Sequence, residues 1–254
     1  FNAVHHLKRC ISTLTQRTLR DYHVYVADDC SPQTALQEYL NEISALANIT
    51  VFKARTRKGY AEINNWAIAQ VPPSEYLCLL NSDIEPLEGW LDAMAGELDT
   101  DPQVGVVGAR LLYPDTKGAP HQLTIQHAGV ARTADNLPYH PFRGQPVDYE
   151  PAARRREINA VTFACALIRR SLWDQQGGLD EEVLVVLLIE RLVQQHGHRE
   201  RAHAHQFLVG LHGGLGGHRT QAEAFYGGLY VEPAKHDDEG DQLHHQQKHA
   251  YREE

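Results

Sequence analysis

The amino-acid sequence predicts an α/β fold, a mostly parallel β-sheet with helices on both faces. Three observations carry that expectation. Over the first 113 residues, apolar positions switch repeatedly between helical and strand spacing. The strand-like stretches are rich in β-branched and aromatic residues. Helices and strands that alternate in this way build parallel sheets covered on both sides.

Taken in order, Val4, Leu7, Ile11 and Leu14 recur at helical spacing and predict a first helix. "HVYVAD" (23–28) reads as a strand. Leu36, Leu40, Ile43 and Ala47 line a second helix, and "ITVFKA" (49–54) is a second strand. Ile63, Ala67 and Gln70 mark a short third helix, stopped by Pro72-Pro73 because proline lacks the N–H a helix needs. "YLCLL" (76–80) is a third strand. Trp90, Leu91, Met94 and Leu98 form a fourth helical stripe, and "VGVVGARLLY" (104–113) reads as one continuous fourth strand. Residues 114–160, rich in Pro, Gly and His, predict a long ordered loop region. "AVTFACALIRRSLW" (160–173) predicts a strand running into a helix, and "QQGGLDEE" (175–182) a glycine turn followed by acids.

The texture changes after about residue 183, and ten of the sixteen histidines lie beyond residue 195. The expected organisation is a domain over 1–219, degenerate from about 183, and a polar His-rich tail over 220–254 that is poorly ordered. The chain begins at Phe1-Asn2, directly before a helix, where a domain of this type opens with a central strand. The expectation is therefore a fragment without its first strand.

The formal net charge of -9 argues against a nucleic-acid partner, which needs a basic face. Two basic clusters, Arg55 to Lys58 and Arg154 to Arg156, either meet phosphates or are solvated surface. Four widely spaced cysteines fit a reducing cytosol better than a disulfide framework. The longest apolar run, "VLVVLLI" at 183–189, is far too short to cross a bilayer. The setting expected is cytoplasmic, or peripheral at the inner face of a membrane.

Two strands finish in acids. "VYVADD" ends on Asp28-Asp29, and "LCLLNSD" ends on Asp83. Ligands of open parallel sheets bind at the carboxyl ends of strands. A carboxylate there suits Mg²⁺ or Mn²⁺, which take one or two carboxylates together with phosphate oxygens. The blander reading is that Asp83 caps the turn or helix that follows.

These stretches, in their order, resemble the family 2 glycosyltransferases, with their nucleotide-sugar-binding GT-A fold. Phe1-Asn2 resembles a Tyr-Asn after the first strand, "VADDCS" (26–31) a Val-Asp-Asp-Gly-Ser segment, and "RKGYAEINNWAIA" (57–69) an Asn-x-Gly-(Phe/Tyr)-Ala-x-Ala-Asn-Asn segment. "LLNSDIEP" (79–86) resembles the Leu-Asn-Ser-Asp form of the DxD motif. "IQHAGV" (125–130) resembles a segment of the rhamnosyltransferase-like branch, and "VTFACALIRRSLWDQQGGLDEE" (161–182) a Val-Thr-Gly-Ala-Cys-Leu-Leu-Ile-Arg-Arg block with its Gly-Gly-Phe-Asp-Glu.

The resemblance implies an inverting enzyme that moves a sugar from a nucleotide-diphosphate donor, UDP- or dTDP-linked, to a glycan or lipid-linked acceptor in cell-surface polysaccharide assembly. Asp28 or Asp29 would contact the base or ribose, and Asp83 would bind Mn²⁺ or Mg²⁺ at the diphosphate. Ser82 lies in the same triplet. Gly59 would let the backbone pass close to the donor. Arg57 or Lys58 would offset phosphate charge, or form a solvated pair. Asn65 would face the donor, or satisfy backbone in the crevice wall.

The sequence departs from the family after residue 183, where an acidic motif carrying the general base is expected. "LVVLLIERLVQQHGHR" (184–199) has no Asp, and Glu190 is its only carboxylate. A base must take the acceptor's proton. Glu190 is the candidate, or a helix residue with no such role. "LHGGLGGHR" (211–219) resembles a Leu-Tyr-His-His-Glu-Ser-x-Ser-Arg segment, which would make His212 a metal ligand; a solvated loop histidine is the other reading. Two alternatives stand beside the transferase. One is a nucleotide-binding relative or fragment without turnover. The other is a metal-binding module built on the C-terminal histidines, for which a zinc-type spacing is lacking.

Overall fold

The computed structural model describes residues 3–113, 123–135, 137–158 and 160–181, together with the backbone of Gln206–Leu211 and Tyr226–Tyr230. The expected alternation is present. Helix α1 (Ala3–Arg17) precedes strand β1 (His23–Asp28), α2 (Thr34–Ile43), β2 (Ile49–Lys53), α3 (Tyr60–Ile68), β3 (Tyr76–Asn81), α4 (Trp90–Thr100) and β4 (Val104–Ala109). Helices α2 and α3 are shorter than their stripes implied. Ala47 and Gln70 fall beyond them and are exposed.

The fourth strand is also shorter than expected. The ladder ends at Ala109, and Leu111–Leu112 form a separate short strand, β5, paired with β6 (Ile125–His127). Arg110 lies at the break, and one of its guanidinium nitrogens donates to the Val147 carbonyl at 2.9 Å. The region read as loop carries more short elements: β7 (Ala131–Arg132), β8 (Pro138–Tyr139), α5 (Glu150–Ala153) and β9 (Arg156–Glu157). Then β10 (Cys165–Arg169) runs into α6 (Arg170–Gln176), as expected.

Two strands come from the stretch whose texture had changed, β11 (Gln206–Leu211) and β12 (Tyr226–Tyr230). The second falls inside the segment expected to be a poorly ordered tail. The remainder of 220–254 lies outside the described residues.

The main sheet has eight strands in the order β2-β1-β11-β3-β10-β4-β12-β9. Strand β1 is parallel to β2. Strand β11 is antiparallel to both β1 and β3, and β10 is antiparallel to both β3 and β4. Consequently β1, β2, β3 and β4 share one direction and end at one edge, as the α/β reading requires. Strands of opposite direction sit between them, which periodicity alone does not reveal. The position between β1 and β3 is filled by β11.

Strand alternation sends side chains to two faces. Tyr76, Cys78 and Leu80 of β3 pack with Leu7 and Leu14 of α1, Leu36 and Leu40 of α2, and Leu91 and Met94 of α4. Leu77 and Leu79 point the other way, to Ile68 of α3 and Trp173 of α6. Helices therefore cover both faces, the α/β architecture expected of a GT-A-type domain. No helix among the described residues is long and apolar enough to cross a membrane.

Candidate functional site

The carboxyl ends of β1 and β3 lie side by side with one strand between them. The pairing runs Ala27↔Gln206 and Gln206↔Asn81, which sets both ends at the same level. Two strand spacings put their backbones about 10 Å apart. The acids of β1 and the acid after β3 thus share one edge of the sheet.

At the end of β1, Asp28 is 2% exposed. It accepts from Gln37 Nε2 on α2 at 2.8 Å and from the Ser31 backbone N–H at 3.3 Å. Asp29 is half-buried and clamps the next loop. Its Oδ1 accepts the Lys58 N–H at 2.6 Å and its Oδ2 the Gly59 N–H at 3.0 Å. Gly59 is the residue just before α3, so Asp29 places a negative charge at that helix N-terminus, where it is favoured. The φ of Gly59 is +85°, and open space surrounds the place a Cβ would take. Backbone conformation, not crowding, is what asks for glycine there. Cys30 stands where the family segment has glycine and holds φ at 59°, a conformation that is costly for a side-chain-bearing residue.

The basic pair divides. Lys58 Nζ lies 2.6 Å from Glu62 Oε1, one turn along α3, so its charge is already partnered. Arg57 is exposed and makes no hydrogen bond or ion pair among the described residues. Asn65 is committed to hydrogen bonds within the fold. Its Nδ2 donates to the Leu179 carbonyl and to Glu181 Oε1, both at 2.8 Å, and its Oδ1 accepts the Leu179 N–H at 2.8 Å. This ties α3 to the glycine turn after α6. Gly178 sits so close that a Cβ there would lie 2.5 Å from Asn65 Oδ1.

At the end of β3, the backbone turns at once. The Asn81 N–H donates to the Ala164 carbonyl at 2.8 Å, and the Ile84 N–H returns to the Asn81 carbonyl at 3.2 Å. Ser82, inside this turn, is buried, and Asp83 is exposed. Among the described residues Asp83 makes no hydrogen bond, so the turn is closed by main chain and not by its carboxylate. Asn81 Oδ1 is buried and accepts no hydrogen bond among the described residues. Below it, the Cys10 thiol is pushed well above its ordinary pKa by burial and then by the charge of Asp83.

Asn81 and Asp83 therefore present two oxygen donors, one an orphaned buried amide oxygen and one an unpaired carboxylate. Hard oxygen donors of this kind suit Mn²⁺ or Mg²⁺. No group of three or more His, Cys, Asp or Glu side chains converges among the described residues, so a cation here would take much of its shell from a ligand's oxygens. Glu190 and His212 lie outside the described residues.

One residue escaped functional reading. His127, in "IQHAGV", is 2% exposed. Its Nδ1 lies 2.7 Å from His140 Nδ1, and its Nε2 accepts from the Gly129 and Thr162 N–H groups at 3.2 and 3.3 Å. Burial first, then His140 and Arg156, push its pKa down to about 3. The sequence signal was a histidine in an apolar strand followed closely by glycine.

Comparison with known proteins adds three relatives. The sequence model of a family described as Glycosyl transferase family 2 matches residues 1–176. An uncharacterized protein of Sinorhizobium fredii is 31% identical over 187 residues, covering 71% of this chain and 20% of that protein. The O-antigen biosynthesis protein RfbC of Myxococcus xanthus is 35% identical over 132 residues, 50% of this chain and 10% of that protein. An N-acetylglucosaminyl-diphospho-decaprenol L-rhamnosyltransferase of Mycobacterium tuberculosis is 25% identical over 204 residues, 72% of this chain and 63% of that protein. The chain thus spans less than two thirds of the length of each.

Proposed function

The chain belongs to glycosyl transferase family 2, and on that premise we propose that it binds a nucleotide-diphosphate sugar at the β1/β3 edge and transfers the sugar, with inversion, to an acceptor hydroxyl. The donor is UDP- or dTDP-linked, and the acceptor is a glycan or a lipid-linked sugar of cell-surface polysaccharide assembly. The setting is the cytoplasm or the inner face of a membrane. The names of the Myxococcus and Mycobacterium relatives, an O-antigen biosynthesis protein and an L-rhamnosyltransferase, support the sugar-transfer part of this reading.

The observation that carries it is the shared edge, where β1 and β3 end level with each other and Asp83 is unpaired among the described residues. Asp28 and Asp29 organise the side that meets base and ribose. Asp29, by holding the Lys58 and Gly59 amides, presents the start of α3 to the donor. Ser82 and Gly59 keep the backbone close, and Arg57 faces solvent as a cation without a partner among the described residues. Asn81 and Asp83 would hold Mn²⁺ or Mg²⁺, with His212 a further ligand. When bound, the cation neutralises charge on the departing diphosphate. Glu190 would take the acceptor's proton.

The test is calorimetric titration of UDP and dTDP into the whole chain with and without Mn²⁺. Wild type binds one of them with metal, and Asp83→Ala loses that metal-dependent affinity. Unchanged affinity in Asp83→Ala overturns the assignment. Binding with no sugar transfer and no donor hydrolysis identifies a relative without turnover.

A further inference from the structure

We propose that His127 is a positioning residue for the donor crevice, its ring tying down the Ala160–Ala164 segment that joins the two acid-bearing strand ends. The inference rests on the sugar-transfer reading above, but its geometry does not.

The segment bridges three sites in succession. The Thr162 N–H donates to His127 Nε2 at 3.3 Å. The next carbonyl, Phe163, receives the Tyr60 hydroxyl at 3.1 Å. The one after it, Ala164, receives the Asn81 N–H at 2.8 Å. Tyr60 directly follows Gly59, whose amide Asp29 holds. Asn81 opens the turn that carries Asp83. Three consecutive residues therefore connect a buried histidine to both halves of the candidate site.

The segment is seated closely. The Val130 N–H bonds the Ala160 carbonyl at 2.9 Å. Val161 lies directly over Gly108 of β4, where a Cβ would come within 2.3 Å of its Cγ1. Gly129, at φ +106°, passes under Ile158. What remains to fix its height at Thr162 is the acceptor on His127.

Hydrogen-bond logic sets the proton positions. A ring nitrogen accepting two N–H groups carries no proton, so the His127 proton is on Nδ1 and points at His140 Nδ1. His140 then keeps its own proton on Nε2. The charged groups facing the pair are Arg156 toward His127 and Arg143 toward His140. Arg110 and Arg154 line the same small cavity as His127, Arg154 being ion-paired to Glu150. Burial first, then His140 and Arg156 for His127 and Arg143 for His140, hold both rings below the ordinary histidine pKa. Protonating His140 sets an N–H against the Nδ1–H of His127. The clash is relieved when the His127 proton moves to Nε2, which can then no longer accept from Gly129 and Thr162. Acid thus releases the segment.

The experiment uses the full chain. Amide hydrogen exchange at Thr162 and Asn81 is measured with UDP or dTDP affinity in Mn²⁺, near pH 7.5 and near pH 5. Variants are His127→Ala, His127→Gln and His140→Asn. In His127→Ala, exchange at both amides and the nucleotide Kd rise by about 10- to 100-fold, the cost of leaving a buried N–H without its acceptor. His127→Gln, whose side-chain oxygen can accept, recovers most of both. His140→Asn, an acceptor that does not titrate, keeps at low pH the exchange and affinity that wild type loses. Wild-type exchange at Thr162 and Asn81 in His127→Ala overturns the proposal. Should that variant not fold, an acid loss in His140→Asn equal to wild type overturns it. If wild type binds neither nucleotide, the sugar-transfer reading fails while the exchange measurements still decide the role of His127.

Discussion

Replacing Asn65 with alanine separates the two roles its sequence context allowed. The change removes three hydrogen bonds, all 2.8 Å long, and leaves the Leu179 N–H and carbonyl without their partners. Each half-buried group left unpaired costs about 1–1.5 kcal/mol. The bond to exposed Glu181 adds little in water. The expected destabilisation is about 2–3 kcal/mol. With a urea slope of about 2 kcal/mol/M, the unfolding midpoint falls by roughly 1 M. Asn65→Asp keeps an acceptor for the Leu179 N–H but loses the donor and sets a charge near Glu181, so it recovers less than half of the loss. Urea unfolding followed by circular dichroism reads both, and nucleotide titration of the same samples reads the site. A midpoint shift worth under about 0.5 kcal/mol, with nucleotide affinity lost, refutes the clasp and returns Asn65 to the donor.

Other outcomes follow from the same contacts. His127 has its folded pKa lowered from 6.5 to about 3, so it contributes stability above pH 6.5 that is lost as pH falls toward 3. The slope is about 1.4 kcal/mol per pH unit between those values, and in His127→Gln the pH dependence of urea midpoints flattens. Gly108→Ala pushes a methyl into Val161, a stiff β-branched neighbour, and lowers stability by about 1–3 kcal/mol by calorimetric Tm. Cys30→Gly relieves a positive φ and raises stability by about 1 kcal/mol by urea midpoint.

Much of the α/β fold was legible because burial imposes periodicity on local sequence. The stripe Leu36, Leu40, Ile43 predicted α2, and "HVYVAD" predicted β1 with its terminal acid, Asp28. Strand direction was not legible. Nothing in "CALIR" says that β10 runs opposite to β3, because direction depends on connections tens of residues away. The break at Arg110 was hidden for a related reason, since an apolar run does not say when its partner changes from β10 to β6. Within the candidate site, the acids were legible because ligands of open sheets bind at strand ends. Their partners were not. Asp29 spends both oxygens on amides 29 and 30 positions away, and Asn65 reaches a residue 114 positions on. Such contacts exist only once the chain has folded, and "IQHAGV" carried no sign that its histidine meets His140 and Thr162.

The sulfur atoms supply a built-in reporter. Cys10, Cys78 and Cys165 are buried in the same core, while Cys30 is exposed at the tip of β1. Burial holds the Cys10 thiol in its unreactive protonated form, and a hydrogen bond with Cys165, followed by burial, does the same for Cys78. A thiol-modifying dye added to native protein should therefore label Cys30 at once. The other three wait for the molecule to open, so their labelling rate measures how often it does.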